Sequence, residues 1–145
     1  MHFMDSIPRS MVSRIVLLCS SLVLTGCSNL TSVLFYPQNQ HVRTPADIGL
    51  LYQDVELRAV DNTALHAWFL PAQTVSANKG PQVLSAQSSK PIVLFLHGNA
   101  ENISTHLGSV YWLPSQGVNV LLLDYRGFGH SAGAPLIPAI FQDIE

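Results

Sequence analysis

Between Asp54 and Leu70 apolar and polar residues alternate. Val55, Leu57 and Ala59 share one face, and after Asp61, Asn62 and Thr63 the residues Leu65, Ala67 and Phe69 do the same. Period two is the repeat of a strand, and Asp and Asn tolerate the positive φ of tight turns, so the pattern predicts a β-hairpin ended by Pro71. Residues 72–90 carry four Ser and three Gln around Gly80 and Pro81, and read as a flexible surface loop with too little apolar surface to order itself. After Pro91 the run Ile92, Val93, Leu94, Phe95, Leu96 is apolar without interruption, as in a parallel strand buried on both faces. Ile103, Leu107 and Val110 or Tyr111 then recur at helical spacing behind the acid Glu101, up to Pro114 and Gly117. Val118 and Val120 to Leu123 form a second apolar strand ending at Asp124, and a last helix is predicted to begin near Pro138. Strand, helix and strand in this order imply a parallel βαβ unit, so the fold class is α/β: a hairpin followed by a parallel core.

The N-terminal pattern is of another kind. Arg9 and Arg14 precede an apolar stretch from Ile15 to Leu24 that is too short to span a bilayer but suits the h-region of a secretory signal. Leu24, Thr25, Gly26 and Cys27 resemble the bacterial lipobox, which implies cleavage before Cys27 and its acylation by a diacylglyceryl group. Residues 1–26 are then a lipoprotein signal peptide, 27–48 a polar tether and 49–145 a partial globular domain. Two acyl chains suffice for stable membrane anchoring. The residue after Cys27 is Ser28 rather than Asp, which by analogy with bacterial lipoproteins places the product in the cell envelope, at the outer membrane where the cell has one. The competing reading is an ordinary secretory leader with a chance Gly-Cys.

Composition supports this division. Only 11% of the 145 residues are charged against 48% apolar, whereas globular chains carry about 25% charged residues. A formal charge of −2 with no Lys/Arg block gives a phosphate backbone nothing to hold, so nucleic acid is excluded as a partner.

Chemistry is expected in loops at the carboxyl ends of the parallel strands. The two such segments, LFLHGNAENISTH (94–106) and LLLDYRGFGHSAGAP (121–135), together resemble the α/β-hydrolase superfamily, in its serine aminopeptidase-like, BEM46-type branch, from about Asp47 to Glu145. The resemblance implies the N-terminal part of an α/β-hydrolase sheet. It also implies an oxyanion-hole donor at the N–H of Asn99 or Ala100, with Gly98 permitting close backbone approach. A helix N-terminus following that loop would offer unpaired N–H groups to a tetrahedral oxyanion. His97 is read as structural, because the catalytic histidine of this fold comes late in the chain.

Gly129-His130-Ser131-Ala132-Gly133 matches the nucleophile pattern G-x-S-x-G, but that serine must sit directly between a strand and a helix. Ser131 lies seven residues beyond Asp124 and is followed by Pro135. It fits instead the family's D-Y-R-G-x-G-x-S loop, in which Asp124 and Arg126 orient backbone through charge-assisted hydrogen bonds. The family order of serine, acid and histidine then puts all three beyond Glu145, so no catalytic residue is expected within the chain and the chain alone is expected to be inactive. The strand at 92–96 should be flanked by the nucleophile strand, and without it presents an aggregation-prone edge.

The resemblance implies a lipoprotein serine hydrolase acting on an ester, thioester or peptide bond through an acyl-enzyme. The alternatives are a non-catalytic lipoprotein with a hydrolase-like shell and a nonfunctional remnant. No metal or cofactor is expected: His41, His66 and His106 show no ligand spacing, and no nucleotide or flavin motif is present.

Overall fold

The computed structural model describes residues 8, 10–17, 31–76, 79–83 and 90–145. It divides into two compact units, Met1–Leu34 and Phe35–Glu145. Cys27 and most of the apolar leader lie outside the described residues. In the first unit residues 10–17 form a helix (α1) with Ile15, Val16 and Leu17 exposed, and Thr31–Leu34 a 3-10 turn. Among the described residues, no helix is long and apolar enough to cross a membrane.

The second unit is built on a four-stranded sheet of order β2-β3-β8-β6. Its strands are β2 (Gln53–Arg58), β3 (Ala64–Leu70), β6 (Ile92–Leu96) and β8 (Asn119–Leu123). The predicted hairpin forms in the register its alternation implies, with Val55 opposite Ala67 and Leu57 opposite Leu65. Asn62 takes the positive φ of the turn, and the Asp61 carboxylate accepts the N–H of Thr63. β8 pairs antiparallel with β3 and parallel with β6, which confirms the α/β class.

Successive residues of β3 and β8 enter opposite cores. Trp68, Leu70, Val120 and Leu122 pack with Leu50, Ile103, Leu107 and Val110 on one side, and Leu65, Ala67 and Leu123 with Ala59 on the other. The alternation had marked only one of these faces. Trp68 is fully buried, and its indole N–H is satisfied at 3.0 Å by Asp54.

Three expectations change. Residues 72–90 are not all loop: β4 (Gln73–Ser76) and β5 (Gly80–Val83) form a second hairpin. Gln73 is fully buried because its side chain accepts the N–H of Leu51 and donates to the carbonyls of Leu51 and Pro71, so polar pairing anchors the segment where apolar area could not. The strand Ile92–Leu96 lies at the sheet edge as expected, pairing among the described residues with β8 alone, but it is not buried on both faces, since Ile92, Val93, Leu94 and Leu96 are exposed. Residues 35–48, read as tether, belong to the folded unit. Tyr36–Pro37 (β1) pairs parallel with Ala100–Glu101 (β7), and Pro45–Ile48 forms a 3-10 turn ended by Gly49.

The helix predicted after Glu101 is a short α2 (Ile103–His106) continuing into a 3-10 turn at Leu107–Ser109. Its apolar face of Ile103, Leu107 and Val110 is buried as expected. The chain after Pro138 is a 3-10 helix, Ala139–Asp143.

Candidate functional site

The loop between β6 and α2 holds the expected oxyanion residues. Its backbone is set by three successive carbonyls. The oxygen of His97 accepts from the Tyr125 hydroxyl (3.3 Å), that of Gly98 from His97 Nδ1 (2.8 Å), and that of Asn99 from the N–H of Tyr36 (2.9 Å). In a planar trans peptide the following N–H points opposite to the carbonyl. The N–H groups of Gly98, Asn99 and Ala100 are therefore each aimed away from those partners. Glu101 closes the loop at φ +66°, a conformation that non-glycine residues adopt at a cost of about 1–3 kcal/mol.

The helix N-terminus does not supply the donors. Asn102 caps α2 by accepting the N–H of Ser104, and the N–H of Ile103 is taken by Oδ1 of Asp124 at 2.9 Å. No atom lies within 4 Å of a side chain built at Gly98, so this glycine leaves open space beside the loop instead of relieving an internal clash. That space adjoins an apolar cavity of about 280 Å³ lined by Phe35, Gly98, Asn99, Tyr125, Phe128 and Ile140 among others.

Asp124 organises what lies around the loop. It is fully buried, and its Oδ2 accepts from His41 Nε2 (2.9 Å) while His66 Nδ1 stands at 3.8 Å. Oδ1 faces Ile103 N–H and, at 3.5 Å, His97 Nε2. Burial opposes its charge, but hydrogen bonds from His41, His66 and His97 and from Ile103 outweigh it and hold the carboxyl well below the usual carboxylate range. Arg126 has the structural role expected of it. Its fork grips Asp61 of the hairpin turn at 2.8 and 3.2 Å, and Asp143 accepts from both its backbone N–H and Nε at 2.7 Å. Pairing with Arg126 keeps the Asp61 carboxyl well below its ordinary range.

Ser131 is engaged on both lone pair and proton. Its hydroxyl donates to the carbonyl of Asp124 at 2.6 Å and accepts the N–H of His66 at 2.8 Å. It lies in a loop, not on a strand-to-helix elbow, and pins that loop to β3 beside a bond from the N–H of Ala132 to Ala64.

Sequence spacing suggested no relation among the histidines, but the fold assembles two groups. His97 stacks on His106 with ring centroids 5.5 Å apart. His41, His66 and His130 cluster with one ring nitrogen of each within 4.8 Å of the others. Burial lowers the His66 pKa, but its interactions with the acceptor carboxylates of Asp124 and Asp54 overcome this and raise it. Burial and the neighbouring His41 and His66 push His130 down. These contacts join residues far apart in the chain, so no local spacing could reveal them.

Comparison with known proteins agrees with this architecture. Residues 87–144 match the family model described as serine aminopeptidase, S33. The Escherichia coli protein YfhR is 39% identical over 93 residues, which cover 64% of this chain and 30% of YfhR. The alpha/beta hydrolase domain-containing protein WAV2 of Arabidopsis thaliana is 33% identical over 103 residues, covering 70% of this chain and 30% of WAV2. An esterase of Pyrococcus furiosus has the same fold over 77% of this chain and 38% of its own, with a TM-score of 0.59 at 24% identity. The chain spans about a third of the length of the curated relatives it matches. Its fold is a partial α/β-hydrolase sheet.

Proposed function

We propose that these residues form the oxyanion-binding part of a serine hydrolase of the S33 aminopeptidase-like α/β-hydrolases. It would cleave an ester, thioester or peptide bond through an acyl-enzyme. The observation that carries the reading is the loop 97–100, whose three carbonyls are spent on fixed partners so that consecutive N–H groups are aimed elsewhere. Donors held in advance stabilise the tetrahedral oxyanion without reorganising during the reaction, and each is worth about 10²–10³ in rate. The apolar cavity beside Gly98 suits an acyl or alkyl group. A second solved form of the same Pyrococcus esterase, 26% identical over 70% of this chain, favours an ester among the three bond types.

On this reading the nucleophile, its base and the orienting acid come from sequence outside these 145 residues, in keeping with the greater length of the relatives. The test is labelling with a fluorophosphonate probe. The 145-residue chain is expected to stay unlabelled, while a product carrying the DNA-encoded continuation past Glu145 is labelled and hydrolyses p-nitrophenyl esters. Ser131→Ala should leave that labelling intact and cost about 1–2 kcal/mol of stability through the orphaned His66 N–H. Labelling of the 145-residue chain that disappears in Ser131→Ala overturns the assignment.

The same proposal places the protein at the bacterial envelope, held by a diacylated Cys27 with the hydrolase unit outside the bilayer. The leader pattern supports it. Cys27→Ser is expected to abolish incorporation of a palmitate analogue and to release the protein from membranes, and labelling that persists in the variant refutes the anchor.

A further inference from the structure

The histidine cluster lies outside the oxyanion loop, and the hydrolase reading gives it no task. Its members come from three separate stretches: His41 from the segment after β1, His66 from β3 and His130 from the loop after β8. Their ring centroids lie 4.1 to 5.3 Å apart, and one nitrogen of each lies within 4.8 Å of the other two. Two of the rings are oriented from behind by carboxylates. His41 Nε2 meets Asp124 at 2.9 Å, and His66 Nε2 meets Asp54 at 2.8 Å.

A ring that donates through Nε2 keeps Nδ1 as its lone-pair nitrogen. Nδ1 of His66 is buried with no hydrogen bond within 3.5 Å, its nearest acceptor being Oδ2 of Asp124 at 3.8 Å. A buried polar atom left in this state costs about 1–3 kcal/mol, unless something binds it. A carboxylate bonded to one ring nitrogen, leaving the other for a metal, is the arrangement by which proteins orient histidine ligands.

The geometry points to a divalent metal site of the zinc type formed by His41, His66 and His130. Three neutral imidazoles suit Zn²⁺, and also Co²⁺, Ni²⁺ and Cu²⁺, but not Mg²⁺ or Ca²⁺, which prefer all-oxygen sets. A tetrahedral zinc holds nitrogen at about 2.0–2.1 Å, so the rings must draw together. His130 is exposed and stacks on His41, so it is the ring that would have to turn, while His41 and His66 are held by their carboxylates. Water completes the coordination. The site would cross-link the segment 35–48, the central strand β3 and the loop 124–134, and so fix Asp124, whose other oxygen holds the start of α2.

The test uses the tag-free, chelator-stripped chain. Zn²⁺ is titrated in competition with a chromophoric chelator, and Co²⁺ is added to read the visible bands of tetrahedral nitrogen coordination. The wild-type chain is expected to bind stoichiometrically, to show those bands, and to melt at a higher temperature with zinc. His130→Ala removes an exposed ligand without disturbing the core, and should weaken binding at least about tenfold and erase the bands. His106→Ala, whose ring lies outside the cluster, should bind as wild type. Absence of binding in the wild-type chain, or equal binding by wild type and His130→Ala, overturns the site and leaves the three rings as an aromatic cluster on Trp68.

Discussion

Replacing Asp124 with alanine is expected to lower the unfolding free energy by about 3–5 kcal/mol, the range for removing one partner of a buried charged network. The N–H of Ile103 and Nε2 of His41 lose their acceptor at once, and Asp124 is wholly enclosed, so water does not replace it. The same residue governs the acid limb of stability. Its folded pKa is depressed, so its contribution is present above the unfolded value of about 3.9 and is lost as pH falls toward the folded one. Urea midpoints measured from pH 6 to pH 3 should therefore fall steeply below about pH 4 in the wild type and more gently in Asp124→Ala. Equal stability of the two proteins at pH 7 would contradict the network.

Gly129→Ala is expected to be at least as damaging. A methyl group there would overlap Oδ2 of Asp124 and stand 2.8 Å from Nε2 of His41, and the residue's φ of +50° disfavours any side chain. Neither neighbour can yield. Asp124 is fixed by the histidines and by the backbone of Ile103, and His41 by Asp124. The variant should lose several kcal/mol, about 3 or more, by denaturant unfolding. Gly133→Ala in the same loop meets only side-chain carbons at 3.4 Å and beyond, so it serves as the comparison that carries a similar backbone penalty without the collision.

The parts of this architecture that were legible beforehand are those written locally. The alternation of Val55 to Phe69 and the apolar runs before His97 and Asp124 are periodic within single elements, and they became β2, β3, β6 and β8. The loop motif put Asp124, Arg126 and Ser131 in an orienting loop after the strand, and there they bond to His41 and Ile103, to Asp61 and Asp143, and to the N–H of His66. What escaped notice depends on contacts across the chain. Gln73 is polar, and only its bonds to Leu51 and Pro71 make it a core residue. His41 sits in a stretch with tether composition, yet Asp124, 83 residues later, draws it into the folded unit. The helix end had been offered as the reason for donors at Asn99 and Ala100, whereas Asn102 and Asp124 occupy that end and only the loop's peptide planes orient those N–H groups.

Arg126 has a consequence for how the molecule comes apart. One guanidinium holds Asp61 near the beginning of the sheet and Asp143 near the last residue. A cut that frees Asp143 leaves the fork half filled, and the loss is felt at the 59–63 turn, remote in sequence. Opening of the turn is thus coupled to release of the Ala139–Asp143 helix, and amide exchange in the two should rise together.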